Sequence, residues 1–282
     1  MTGFAPIVPL GGLAGFRFIE QTHDRQLALF ERSPEIRRDI AHFEENAGQV
    51  ETLEDLMADR RLLRVVLGAF GLEEDLDKRA YVRKVIEEGS LDPRSFANRI
   101  ADPAYRALAE ELGFGDLGNR LILTSVRERI IEQYRLRRFE SAVGEQDVDL
   151  RVAMNFRREI GGIAGSETAG SSGWLRILGS QPMRRVVEYA FNLPDQFALI
   201  DIDQQVLELE RLSRARYGSE SPAVFSDPET VEDALNRFLV RAQIESGSAG
   251  TGTGGASAAV QILRAGGLGS AAAAGLFASN LL

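Results

Sequence analysis

Apolar residues along this chain recur every three or four positions. Phe16, Ile19, Thr22/His23, Gln26/Leu27 and Phe30 trace one such stripe, and Ile36, Ile40 and Phe43 trace the next. Leu53, Leu56 and Met57, then Leu62, Leu63, Val65, Val66 and Phe70, continue the series. Tyr81 with Val85, and Tyr105 with Leu108 and Leu112, close the first half of the chain. The second half repeats the habit with Ile122, Val126, Ile130 and Tyr134, with Val148, Val152 and Phe156, and with Trp174, Ile177 and Leu178. Leu235, Phe238 and Leu239 complete it. This is the period of an amphipathic helix. No convincing run of alternating residues appears, so the expected fold class is all-α.

Helix boundaries are marked by local chemistry. Ser33-Pro34-Glu35 sets a cap, a proline at the first helical position and an acid in the first turn. Thr52 to Asp55 approaches a capping box, with Asp in place of Glu or Gln. Asp59 is placed to cap the helix that follows. Asp92-Pro93, Asp102-Pro103 and Asp227-Pro228 are three more cap-and-proline starts. Longer helices are expected over 76–88, over 119–143, and from Phe197 through Leu207 to about Arg216.

One stretch occurs twice. Arg64, Val65, Val66, Ala69, Phe70 and Leu72 recur as Arg185, Val186, Val187, Ala190, Phe191 and Leu193, at a constant offset of 121. Ile19-Glu-Gln21 matches Ile131-Glu-Gln133 at an offset of 112, and Asp102-Pro103 matches Asp227-Pro228 at 125. Offsets that grow slowly along the chain fit insertions in the loops between equivalent helices. The expectation is two related multi-helix halves from an internal duplication, 18–117 and 118–245, which the long helix near their junction would pack as one body.

The ends differ from this body. Residues 1–16 carry no charged side chain, and 1–17 are read as an apolar N-terminal arm. Residues 246–282 form a Gly/Ala/Ser-rich tail in which Arg264 is the only charge. Residues 246–257 read as linker, and 258–264 and 271–282 each have the composition for a short helix that needs a partner to form.

Composition narrows the chemistry. The net charge of −9 argues against broad nucleic-acid binding, which needs a basic face. Cysteine is absent from the 282 residues, so disulfides, Cys-ligated metals and thiol nucleophiles are excluded. Residues 1–10 lack a basic n-region, and Pro6 and Pro9 interrupt them, so no Sec signal peptide is expected. No stretch is long and apolar enough for a membrane span. Gly250 to Gly255 spells a dinucleotide-binding fingerprint by letter, but in low-complexity sequence with no strand before it. His23 and His42 lie on different expected helices and read as ordinary partly exposed histidines. Asp201, Asp203, Glu208 and Glu210 read as solvated surface, because acids two apart do not share a helix face. Arg137-Arg138, Arg157-Arg158 and Arg184-Arg185 each sit beside acids and read as salt-bridged surface. No catalytic, cofactor-binding or metal-binding residue is assigned, and no cofactor is expected.

Several motifs fall in one order: Phe4-Ala-Pro-Ile-Val-Pro-Leu10, Gly15-Phe-Arg-Phe18, Asp24-Arg25-Gln26, Asp59-Arg-Arg-Leu-Leu-Arg64, Ala69-Phe-Gly-Leu72 and Leu91-Asp-Pro93. In these the chain resembles an uncharacterised all-helical alphaproteobacterial family encoded in flagellar gene clusters, over residues 1–240. The family has no established catalytic residues to carry over. The resemblance implies a non-enzymatic, protein-binding or structural role in flagellar assembly or structure. It also implies a cytoplasmic or flagellum-associated location and flagellar components as partners. The contact residues expected from the compositions of arm and tail are Phe4, Ile7, Leu10, Val260, Leu263, Leu276, Phe277 and Leu281. The alternatives are a small-molecule binder or enzyme with a cleft between the halves, or a secretion chaperone with an exposed apolar groove.

Overall fold

The structure, a computed structural model, describes residues 4–166 and 170–249. Every regular element among them is helical. The first eight residues of the described chain form no regular element, and α1 (Gly12–Phe30) and α2 (Pro34–Asn46) follow. Then come α3 (Leu53–Ala58), α4 (Arg60–Phe70), a 3-10 turn at 73–75, α5 (Arg79–Glu88), α6 (Phe96–Arg99) and α7 (Pro103–Leu112). An eleven-residue connection, 113–123, leads into α8 (Thr124–Gly144), α9 (Val148–Ala164), α10 (Ser171–Gly179) and α11 (Gln181–Ala190). A 3-10 turn at 195–199, α12 (Ile202–Tyr217), a further 3-10 turn at 222–226 and α13 (Pro228–Ala249) end the described chain.

The chain divides into two compact units, 1–239 and 240–282. The boundary falls six residues before the tail expected from composition. The described part of the second unit is the end of α13, where Arg241 and Glu245 pair one turn apart at 3.0 Å.

The first unit is built on α4. Asp59 caps it, accepting the backbone N–H groups of Arg61 and Leu62 at 2.9 and 3.0 Å, a contact that stabilises by about 1 kcal/mol. Leu62, Leu63, Val65, Val66, Leu67, Gly68 and Ala69 are all buried, so α4 is enclosed on nearly every side. Its most extensive partner is α8, and α2 packs on it from another direction. At the crossing with α8, Gly68 lies under the Tyr134 ring: a Cβ there would stand 2.8 Å from two ring carbons. The Tyr134 hydroxyl donates to the buried Asp39 carboxylate at 2.9 Å, and Arg61 and Arg64 lie 3.6 and 3.9 Å from the same group. The α4–α8 seam joins the two halves, and side chains fill it.

The second stretch of the repeat, α11, ends as α4 does. Leu72 N–H bonds the Leu67 carbonyl at 2.9 Å and Leu193 N–H bonds the Glu188 carbonyl at 2.8 Å, both offset by 121. The residue in between is left-handed in each case, Gly71 at φ 77° and Asn192 at φ 56°, which is the Schellman ending. The burial of Val65, Val66, Ala69 and Leu72 is matched at Val186, Val187, Ala190 and Leu193. Apart from a 3-10 turn at 47–49 that the second series lacks, the order of elements recurs as well: two helices, a short helix, a buried helix, a 3-10 turn, a helix, a short turn of helix, and a helix opened by Asp-Pro.

The two series differ where α8 covers α4. Among the described residues α11 packs mainly on α9 and α10. Its residues at the offset of 121 from Leu63, Leu67 and Gly68 are Arg184, Glu188 and Tyr189. Arg184 and Glu188 pair at 2.7 Å, half-buried, on the side where α4 carries leucines.

Several expected boundaries move for local reasons. α1 starts at Gly12, inside the expected arm, leaving 4–11 as its non-helical part among the described residues. The helix expected from 119 starts at Thr124, because the Asn119 side chain accepts Leu121 N–H and donates to the Val50 carbonyl. The helix expected from 76 starts at Arg79, after the 3-10 turn at 73–75. Asp92 accepts Arg94 N–H across a turn, and α6 begins only at Phe96. The stretch expected to run from Phe197 to Arg216 breaks at Asp201, which caps α12 through the N–H of Asp203 at 2.9 Å.

Candidate interaction surface

The non-helical segment before α1 is fixed by its backbone. The buried Gln26 on α1 accepts Ile7 N–H at 2.6 Å and donates to the Ile7 carbonyl at 3.2 Å. The Gln26 amide also donates to Thr22, whose hydroxyl donates to Phe18 one turn back. Gln146, between α8 and α9, donates to the Pro6 carbonyl at 2.6 Å. Leu10 then turns onto α1 so closely that a Cβ on Gly15 would stand 1.8 Å from its carbonyl oxygen. Pro6 is buried and Phe4 is half-buried. Ile7 and Leu10, by contrast, are 55% and 60% exposed. The backbone is therefore held in place while two large apolar side chains face solvent.

A second segment behaves in the same way. Residues 117–123 precede α8 as the arm precedes α1. Leu117, Ile122 and Leu123 are exposed there, and Ile122 stands at an offset of 112 from Leu10. Asn119 holds this segment to the loop after α2, and Arg127 donates to the carbonyls of Leu121 and Ile122. A depression of about 540 Å³ separates it from residues 48–51.

The titratable candidates are engaged elsewhere. His23 lies against Asp24 at 3.0 Å and edge-on to Phe139. His42 pairs with Asp59 at 2.6 Å. Burial pushes the Asp59 carboxyl up, but the Leu62 N–H, the His42 contact and the Arg61 N–H together hold it below its usual value. His23 thus packs on a buried ring, and His42 braces the carboxylate that caps α4. Asp201 and Asp203 form the start of α12, and Glu208 pairs with Arg211 at 2.6 Å.

The arginine pairs are ion-paired, as their neighbours imply, yet several lie deeper than a surface reading places them. Arg158 holds Glu140 through two bonds of 2.7 and 2.9 Å, with both side chains largely buried. Burial alone would lower the Arg158 pKa; the Glu140 and Glu159 carboxylates reverse that and raise it. Arg137 bonds Glu159 at 2.6 Å, and burial leaves its pKa lowered. Arg157 joins Glu20 on α1 and Glu232 on α13. Arg185 meets Asp149 at 2.7 Å. Trp174 is fully buried, donates to the Glu220 carbonyl at 2.7 Å, and packs edge-on to Phe191 and Phe225.

Of the expected contact residues, Phe4, Ile7 and Leu10 lie together on the held arm. Val260, Leu263, Leu276, Phe277 and Leu281, with the letter match at 250–255, lie outside the described residues. Sequence reading missed Gln26, Gln146 and Asn119, the side chains that fix the two apolar segments. Gln26 had a signal: a polar residue on the inward stripe of Phe16, Ile19 and Phe30 must find a buried partner.

The family model described as protein of unknown function (DUF1217) matches residues 69–231. No curated protein matches the chain. A crystal structure of a structural-genomics target from Agrobacterium tumefaciens is similar, with a TM-score of 0.69 at 26% identity. The match covers 86% of this chain and 99% of that one. No helix among the described residues is long and apolar enough to cross a membrane.

Proposed function

We propose that this chain, which belongs to the DUF1217 family of proteins of unknown function, works by binding other proteins and not by catalysis. The observation that carries the reading is the arm. Gln26 and Gln146 occupy its backbone at Pro6 and Ile7, and the side chains of Ile7 and Leu10 are left in water. Leaving two such side chains exposed forgoes about 1.5–3 kcal/mol of burial each. A preset backbone lowers the entropy that a partner must remove on docking. Buried side chains fill the crossing of α4 and α8, which argues against a ligand cleft at that point between the halves.

The resemblance to a family encoded in flagellar gene clusters makes flagellar components the partners to seek first, with a cytoplasmic or flagellum-associated location. We also infer that the two helical series descend from one duplicated unit. Support comes from the matched Schellman endings at an offset of 121 and the recurring element order. The tail residues Val260, Leu263, Leu276, Phe277 and Leu281 are proposed as a second contact segment from their composition.

The test is an affinity capture from motile cells with three baits: the full chain, Ile7→Ser/Leu10→Ser, and a truncation at residue 245. Mass spectrometry should find flagellar components with the full chain and lose them with one or both altered baits. Identical partner sets with all three baits would remove arm and tail as contact segments. Partners without flagellar proteins would remove the setting.

A further inference from the structure

A second surface lies away from the arm. A groove of about 390 Å³ is lined by Leu27, Ile131 and Leu136 and rimmed by Glu31, Glu44, Glu128 and Glu132, with Arg135 beside them. Four carboxylates therefore face one guanidinium across an apolar floor. Glu128, Ile131, Glu132, Arg135 and Leu136 form one stripe of α8, about 12 Å long at the helical rise. Leu27 and Glu31 run beside it at the end of α1, and Glu44 projects from α2.

Several acids elsewhere among the described residues are held by arginines, as Glu140 is by Arg158 and Glu111 by Arg129. Here Glu44, Glu128 and Glu132 make no ion pair within 4 Å among the described residues. Glu128 and Glu132 are also one turn apart on the same helix, a like-charge placement that destabilises by a few tenths of a kcal/mol. Arg135 approaches Glu31 only at 4.0 Å. Its Nε atom is buried without a hydrogen-bond partner. The acids repel one another, and what they lack is positive charge.

We propose that this groove docks a basic amphipathic helix of a partner protein. Two turns of helix match the length of the α8 stripe. Leucine-type side chains at i and i+4 would cover Leu27, Ile131 and Leu136, and flanking Lys or Arg would meet Glu44, Glu128 and Glu132, a helix-in-groove mode. The site differs from the arm and stands or falls separately from it.

The probe is an 18-residue fluorescein-labelled amphipathic helix of leucine and lysine, titrated into the full-length protein and followed by anisotropy. A matched leucine–glutamate peptide is the control. The basic peptide should bind saturably and the acidic one should not. Glu128→Gln/Glu132→Gln should weaken binding at least tenfold, and so should Leu136→Ser. Glu74→Gln/Glu87→Gln, which removes equal charge from exposed positions that do not line the groove, should change it less than twofold. Equal weakening by the two double variants would mean that the peptide reads only net charge, and the proposal would be overturned. No saturable binding of the basic peptide would overturn it too. Ile7→Ser/Leu10→Ser should leave this titration unchanged, so failure here and failure of the arm are told apart.

Discussion

Replacing Gly68 by alanine adds one methyl group where α8 crosses α4. In an exposed helix interior the change would stabilise by about 1 kcal/mol, since glycine costs that much relative to alanine. At position 68 the new Cβ would stand 2.8 Å from Cδ2 and Cε2 of Tyr134 and 3.2 Å from Glu73 Oε1. The glutamate can swing aside. The ring cannot, because it is fully buried and its hydroxyl is held by Asp39 at 2.9 Å. Forcing a methylene into a closed core costs about 1–3 kcal/mol, and a rigid neighbour places this site in the upper part of that range. Gly68→Ala should therefore destabilise by about 1–2 kcal/mol net. For a body of this size the melting temperature should fall by roughly 2–8 °C. Urea unfolding, followed by far-UV circular dichroism and by emission of the single, buried Trp174, measures the loss. Repeating it in Tyr134→Leu tests the cause: with the ring gone, alanine should cost less by at least about 0.5 kcal/mol. A Gly68→Ala protein as stable as the original, or an equal loss in both backgrounds, would refute the steric argument.

The opposite sign is expected on α9, where nothing lies within 4 Å of a Cβ at Gly161 or Gly162 and both are exposed; alanine at either should raise the urea midpoint, stabilising by about 0.5–1 kcal/mol. Gln26→Ala should free the arm, speeding chymotryptic cleavage near Phe4 and Leu10 and costing about 1–2 kcal/mol of global stability. Asp116 accepts the N–H groups of Ser90 and Leu91 and the Ser90 hydroxyl, at 2.8–2.9 Å. Burial pushes its carboxyl up, but those donors hold it below the ordinary value. Its contribution is therefore complete above the unfolded pKa of about 3.9 and is lost as pH falls through the lower folded pKa. Asp116→Asn should accordingly destabilise near neutral pH by about 1–3 kcal/mol, and the gap from the original protein should narrow in urea melts at acid pH.

What the sequence made legible was what local chemistry decides. Helical period and caps placed most elements, because an apolar stripe and an Asp-Pro start act within one or two turns. The recurrence at an offset of 121 marked α4 and α11 as core helices, and both are. The breaks at 201 and before 124 escaped because they depend on where one carboxylate or amide reaches, and periodicity is blind to that. The arm was visible as uncharged sequence, but its attachment was not. Gln26 and Gln146 are 120 residues apart in the chain and meet the arm only through the fold. The acidic groove was equally hidden, since Glu44 and Glu128 come together only when α2 packs on α8. The buried arginine network was legible in kind, from the acids alongside, and not in depth.

The crossing of α8 over α4 has a consequence for the order of events during synthesis. Leu63 and Leu67 leave the ribosome before the helix that packs most extensively on theirs, which ends at Gly144. At about 5–20 residues per second, roughly 4–15 s separate the emergence of Phe70 from that of Gly144. Through that interval the nascent chain carries an apolar helix without its main cover. Until α8 follows, α4 has chiefly α2, α3 and α7 of its own half to pack against. Its safe passage rests on how fast translation continues, or on a chaperone that shields α4 while α8 is still being made.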